Sequence, residues 1–305
     1  VSDVLGNKYR WKKLILCNGA SPILPDFKGS ENKNIFVLRS AADTEKIREG
    51  AKEVEKILVV GGGVLGVEIA EQLSKLGKNI TIVHRDLLLL NKHFDSNLSQ
   101  RLMNLLTENG IQVIMNEEVK SVSSVGNNKL FINIGSLIQL MADMMVFSVG
   151  VNPNISILKR SGINFNKGIL VNEFLETSVE NIYAAGDVAE HANGTISGLW
   201  HAAELQGIIA GSNAAEQKIP LPQKAFRLKL EVFEAYFFSM NIPNLSREQD
   251  EIIVDQSEKY YRFFFEKGLL TGMLMANDKP MTKICEQAVR ENWSKEKVIQ
   301  TFIEV

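Results

Sequence analysis

Cysteine is nearly absent from this chain. Its 305 residues include two, Cys17 and Cys285, far apart and in neither a CxxC pair nor a metal-ligand cluster. That argues against a metal site and leaves both thiols reduced and mostly structural. Long apolar runs are missing too: none approaches the roughly 20 residues that a membrane-spanning helix needs, and the opening VSDVLGNKYRWKK is too polar for a secretion signal. Neither sign of charge dominates. With 34 basic against 36 acidic residues, a formal charge of −2 and no Lys/Arg-rich block, neither a nucleic acid nor a membrane surface is indicated as partner. The expected location is the cytoplasm. Hydrophobic residues are plentiful at 45%, enough core for a soluble globular protein of two or three domains.

Residues 57 to 85 read ILVVGGGVLGVEIAEQLSKLGKNITIVHR. An apolar strand, a glycine turn with Val64 and Leu65 inside it, an amphipathic helix and a second apolar strand make a dinucleotide-binding βαβ unit. Gly61 permits the tight turn, Gly63 lets the backbone approach a pyrophosphate, and Gly66 lets the helix lie on the strand. Leu65, Ile69, Leu73 and Leu76 recur at helical spacing, and Gly77 stands where a helix C′ residue belongs. The helix N-terminus then faces the phosphates. At the end of the second strand, where NAD-binding versions place an acidic residue, stand His84 and Arg85, followed by Asp86. A forked contact from Arg85 to a 2′-phosphate leans the nucleotide towards NADPH. The alternative is that Arg85 is an ordinary solvated residue and Asp86 holds the ribose.

A second pattern lies at 180 to 190, ENIYAAGDVAE, a short strand running into Gly186-Asp187, with a helical segment following from Trp200. A glycine for close approach, a carboxylate for a sugar-like hydroxyl and a helix N-terminus for negative charge suit a flavin. Gly-Asp after a strand is equally an ordinary turn.

With KLILCNGASPILP (13 to 25), the glycine loop with Glu68, MMVFSVGVNPN (144 to 154) and IYAAGDVAE (182 to 190) in this order, the chain resembles the FAD-dependent pyridine nucleotide-disulfide oxidoreductases, most of all the NAD(P)H:rubredoxin oxidoreductases. The resemblance covers nearly the whole chain. It implies an α/β fold class: FAD- and NAD(P)-binding three-layer ββα (Rossmann-like) domains plus a small C-terminal α+β domain. It implies a partial FAD-binding domain from 1–54 and 151–220, an NAD(P)H-binding domain at 55–150, and a C-terminal reductase domain at 221–305. Carried over by match, Asn18, Gly19, Gly186, Asp187, Trp200, His201 and Ala202 would serve FAD. Gly61, Gly63, Val64, Leu65, Gly66, His84, Arg85 and Gly150 would serve NAD(P)H, and Glu68 would sit close to the nicotinamide and flavin rings as the catalytic candidate.

Two departures accompany the match. Cys17-Asn18-Gly19 stands in place of Ala-Thr-Gly, and the family's N-terminal FAD unit for the ADP half, a βαβ of about 30 residues or more, has no room before residue 13. The chain is therefore expected to be truncated or processed and to hold FAD weakly. The implied activity is a flavoprotein reductase passing electrons from NAD(P)H through FAD to a small iron–sulfur carrier such as rubredoxin. A disulfide reductase or NADH oxidase of the same family, or a nucleotide-binding chain without activity, are the alternatives. The absence of histidine after His201 argues against disulfide reductases that use a C-terminal His–Glu pair. Inside the nucleotide domain a helix over 96–109 with Asp95 as N-cap is expected, then a meander of strands at 111–115, 129–134 and 143–148. A hairpin turning at Lys267-Gly268 and two helices follow in the C-terminal domain.

Overall fold

The segments Ile57–Val60 and Ile80–Val83 carry almost no polar side chains, the pattern of strands covered on both faces. In the computed structural model, which describes residues 1–304 apart from 127–128, 160, 223–226 and 246, they become the middle of a five-stranded parallel sheet. Its order is Ile35–Val37, Met144–Phe147, Lys56–Val60, Asn79–His84, Gln112–Met115. The start of the expected C-terminal domain, 223–226, lies outside the described residues. Val59 pairs with Ile82 and Val60 with Val83, which aligns the carboxyl ends where the glycine loop and His84 emerge. The helix Val64–Lys75 crosses between them and ends with Gly77 in the left-handed region at φ +77°. The helix Ser96–Glu108 starts at Asp95, whose carboxylate accepts the Leu98 N–H at 2.8 Å.

The chain forms two compact units, one of Val1–Ser21 with Val151–Lys224, the other of Pro22–Gly150 with Ala225–Val305. In the first, Leu14–Leu16 pairs in parallel with Ile182–Ala184, and the helix Trp200–Ala214 packs Ile209 and Ala210 on a core that includes Tyr183 and Ala184. Among the described residues no helix is long and apolar enough to cross a membrane.

Two expectations change in detail. The meander is built from Val119–Val125, Lys129–Ile134 and Ile138–Ala142, a separate antiparallel sheet, whereas Gln112–Met115 and Met144–Phe147 belong to the parallel sheet. The flanking strands VKSVSSV and IQLMA alternate polar and apolar residues because one face is solvated, so they lack the apolar density that marks their neighbours. On the glycine-loop helix, Leu65 and Leu76 are exposed at 40% and 61%. The buried stripe is Gly66, Val67, Ile69, Ala70 and Leu73, turned by the need for Gly66 to press on the loop. In the C-terminal domain, the strand Tyr260–Glu266 is buried on both faces apart from half-buried Arg262 and exposed Glu266. Tyr260 and Phe264 join Phe94, Leu98 and Leu102 of the nucleotide domain in one core, and Tyr261, Phe263 and Phe265 face Cys285, Val289 and Val298 of the two C-terminal helices.

The C-terminal five-stranded antiparallel sheet, whose turn at Lys267 and Gly268 has φ +53° and +76° as a two-residue hairpin requires, is thus docked directly on the nucleotide domain. Polar contacts fix the docking. Buried Asp95 accepts from Tyr260 Oη at 2.7 Å and Arg262 Nη1 at 2.8 Å, and buried Glu71 accepts the Phe233 N–H at 2.7 Å.

Candidate functional site

Each glycine of the loop meets a different constraint. A Cβ on Gly61, whose φ is +119°, would lie 2.2 Å from the Ser148 carbonyl oxygen, and one on Gly66 would lie 2.0 Å from the Gly61 carbonyl oxygen. A Cβ on Gly63 would meet nothing within 4 Å. Gly61 and Gly66 are therefore required by the protein itself, while Gly63 keeps open a space beside the helix start. That helix begins at Gly63 without a side-chain cap, leaving first-turn N–H groups available to an anion. An open cradle and an uncapped helix end fit a pyrophosphate.

Gly62 is a fourth constrained position, one that the GxGxxG pattern passes over. Its N–H donates to His84 Nδ1 at 3.1 Å and its carbonyl accepts from the Leu90 N–H at 3.0 Å. A Cβ there would come within 2.8 Å of the His84 ring and 2.5 Å of Leu89 Cδ2. His84 thus turns in beneath the loop. Its Nε2 is buried without a hydrogen-bond partner, 3.6 Å from Asp86 Oδ2. Burial lowers the imidazole pKa, against Asp86 and the Leu88 backbone, which raise it. Arg85 points outward with a side chain 70% exposed, and Asp86 also accepts from Asn91 Nδ2 at 3.0 Å. One turn into the helix, half-buried Glu68 has its carboxyl pushed above the ordinary range by burial and by Glu71. Gly150, at φ +111°, follows the return strand, and its carbonyl accepts the Ile23 N–H at 3.0 Å.

In the other unit, Gly186–Val188 is a tight turn with Gly186 at φ +78°. Its buried N–H donates to Gln206 Oε1 at 2.7 Å, and Gln206 Nε2 lies 3.0 Å from His191 Nε2 and 3.3 Å from Ser197 Oγ. Asp187 is half-buried in this turn. Gly19 adopts φ +64°. Asn18 Nδ2 donates to the Asn154 carbonyl, Asn154 Nδ2 donates back to the Asn18 carbonyl at 2.7 Å, and buried Asn18 Oδ1 has no partner. An orphaned buried acceptor is costly. With the half-buried carboxylate and the uncapped start of the helix Trp200–Ala214, it fits the hydroxyl-bearing and ring end of a flavin.

A family model of the pyridine nucleotide-disulphide oxidoreductases matches residues 1–207. The chain belongs to this family. It is 30% identical over 275 residues to the assimilatory nitrate reductase electron transfer subunit of Bacillus subtilis, a match covering 88% of this chain and 35% of that protein. It is 26% identical over 228 residues to the nitric oxide reductase FlRd-NAD(+) reductase of Shigella flexneri, covering 75% of this chain and 59% of that protein. The solved NAD-dependent persulfide reductase from A. fulgidus superposes with a TM-score of 0.87 at 22% identity, over 96% of this chain and 59% of that one. The chain spans from about a third to three fifths of the length of these proteins.

In this chain, Gly61, Gly63, Val64, Leu65, Gly66, His84 and Arg85 gather at the carboxyl ends of the parallel strands, where such sheets bind ligands. A cavity of about 570 Å³ lies at the opposite end of the strands, lined in part by Lys56, Asn79, Thr81 and Gln112 and by none of the residues just named at the carboxyl ends. Asn18 and Gly19 sit at one strand end, Gly186 and Asp187 at the end of its parallel partner. Trp200 and His201 begin the long helix, exposed, with their rings edge to face. Ala202 is buried and its N–H donates to the Leu199 carbonyl at 3.1 Å, so that group is already engaged. Sequence reasoning missed Gly62, Asn154, His191 and Gln206. Only Gln206 carried a local signal: a polar side chain on the mostly apolar buried face of Ala202, Ile209 and Ala210, which also carries Asn213.

Proposed function

We propose that this chain carries the nucleotide- and flavin-handling residues of an NAD(P)H-dependent flavoprotein reductase that delivers electrons to a small iron–sulfur carrier of the rubredoxin type. The observation that carries the reading is the open cradle at Gly63 beside an uncapped helix start. The Gly186–Asp187 turn held by Gln206 supports the flavin half. FAD, when bound, accepts hydride from NAD(P)H and releases electrons singly.

The residues divide the work. Gly63, Val64 and Leu65 address the pyrophosphate through backbone N–H groups, and Gly61 and Gly66 keep helix and strand close enough to aim them. Exposed Arg85 is placed to pair with a 2′-phosphate, which favours NADPH. Glu68 serves as the residue beside the nicotinamide, and its raised pKa lets it keep a proton to higher pH than an ordinary carboxyl. Gly150 closes the nucleotide side. On the flavin side, Asp187 accepts from the ribitol, Asn18 Oδ1 gains the donor it lacks, and the backbone at Gly19 and Gly186 allows close approach. Trp200, His201 and Ala202 form the helix start beside the ring. The similarity to an electron transfer subunit and to an FlRd-NAD(+) reductase supports a protein carrier as acceptor. Both described cysteines are free, which supports a reducing compartment, the cytoplasm.

The test is to mix the chain with FAD and NADPH and follow flavin absorbance, then to add rubredoxin, a disulfide or oxygen as acceptor. NADPH-dependent bleaching of the flavin followed by rubredoxin reduction supports the reading. Bleaching with electrons passing only to the disulfide or oxygen assigns another branch of the family, and no bleaching overturns it.

A further inference from the structure

The imidazole of His84 occupies the strand end at which a dinucleotide-binding sheet usually presents its ribose acceptor, yet it points at the protein's own loop. Gly62 N–H donates to Nδ1 at 3.1 Å, the ring is 12% exposed, and a single Cβ on Gly62 would strike it. The same peptide segment is held from its other side by the Leu90 N–H on the Gly62 carbonyl at 3.0 Å. Gly62 immediately precedes Gly63 and the first turn of the helix, so the position of those N–H groups depends on this anchor.

We propose that His84 is a proton-controlled positioning residue of the nucleotide site: neutral, it latches the glycine loop in its phosphate-binding form, and protonated, it releases it. The inference rests on the reading of the loop as a nucleotide site. The chemistry is one of donors and acceptors. For Nδ1 to accept from Gly62, the ring proton must be on Nε2, the atom facing Asp86 at 3.6 Å. A second proton could be added only at Nδ1, where it would confront the Gly62 N–H donor to donor. The ring or the loop then has to move, and the Gly62 N–H loses its acceptor.

The charged groups about the ring act in both directions. Asp86 favours the protonated ring and Arg85 opposes it. From the adjoining strand end, Glu117 contributes its backbone N–H, which donates to the His84 carbonyl at 3.1 Å. Burial outweighs the pull of Asp86 and of the Leu88 backbone, so the neutral latch persists below the ordinary histidine pKa, and release belongs to acidic conditions.

NAD+ is the probe, because it lacks the 2′-phosphate that would titrate in the same range. Its dissociation constant is measured by calorimetry between about pH 5 and 8 for the unmodified chain, His84→Asn and His84→Leu. Asn offers an acceptor oxygen near the Nδ1 position but takes up no proton. The expected result is an affinity that falls about two- to tenfold on acidification in the unmodified chain, a pH-independent affinity in His84→Asn, and a pH-independent affinity in His84→Leu weaker than that of His84→Asn. Nitrogen NMR of the ring supplies a readout without ligand: a neutral ring protonated at Nε2 is expected, and one protonated at Nδ1 overturns the latch. Equal pH profiles for the unmodified chain and His84→Asn, or an affinity that rises on acidification, also overturn it. No NAD+ binding at any pH, with the expected tautomer present, rejects instead the nucleotide reading on which the proposal stands.

Discussion

Gly63 and Gly66 are three residues apart in one motif, and the structure predicts opposite consequences for the same added methyl group. In Gly66→Ala the new Cβ would lie 2.0 Å from the Gly61 carbonyl oxygen, whereas ordinary contacts begin at 3.4 Å. The helix must withdraw, and its neighbours Val67 and Ala70, both fully buried, leave it little room. Overpacking of this kind costs about 1 to 3 kcal/mol, and because the displaced element carries the phosphate-facing N–H groups, nucleotide affinity falls with stability. Gly63 has φ −83° and ψ −178° and open space around it. Alanine adopts that conformation freely. The lower entropy of its unfolded chain offsets the poorer N-cap, and stability stays within about 1 kcal/mol. The methyl group occupies the space assigned to the pyrophosphate, however. Loss of one charge-assisted hydrogen bond, about 1.5 to 3 kcal/mol, weakens binding roughly ten- to hundredfold. Thermal melting and NAD+ titration of the two variants side by side decide the matter. A Gly63→Ala chain that binds NAD+ like the unmodified one refutes the pyrophosphate assignment, and a Gly66→Ala chain of unchanged stability refutes the packing argument.

Arg85→Ala should weaken NADPH binding by about 1.5 to 3 kcal/mol and leave NADH nearly unchanged; equal losses for both nucleotides in parallel titrations would remove Arg85 from the 2′-phosphate site. Asp95→Ala deletes a helix cap and the shared acceptor of Tyr260 and Arg262, so a loss of about 3 kcal/mol is expected in denaturant unfolding. Tyr260→Phe removes one of those bonds and should lose only about 1 to 2 kcal/mol; equal effects would contradict the network. Gln206→Leu leaves the buried Gly186 N–H without its acceptor and should weaken binding of FMN, which carries the ring and ribitol, about tenfold or more, as read from flavin fluorescence. Unchanged FMN binding would detach Gln206 from the flavin turn.

The nucleotide loop was legible in the residues because its requirements are local: a tight turn at Gly61, a close approach at Gly66 and a helix start at Gly63 all fall within six positions. The Asp95 cap and the Lys267-Gly268 hairpin were legible for the same reason, each involving backbone conformation a few residues away. Strands solvated on one face, such as Val119–Val125, resembled loop, since their alternation dilutes the apolar signal. Tertiary structure alone decided how the aromatic run at 260–265 is used. Its composition announces two apolar faces, but covering one with the nucleotide domain and the other with the C-terminal helices depends on partners far away in sequence. His84 shows the limit most sharply. By position it belonged to the ribose, but parallel pairing of Lys56–Val60 with Asn79–His84 brings its Nδ1 to the N–H of Gly62, 22 residues earlier. A hydrogen bond between residues so far apart is set by strand register, which no local pattern encodes.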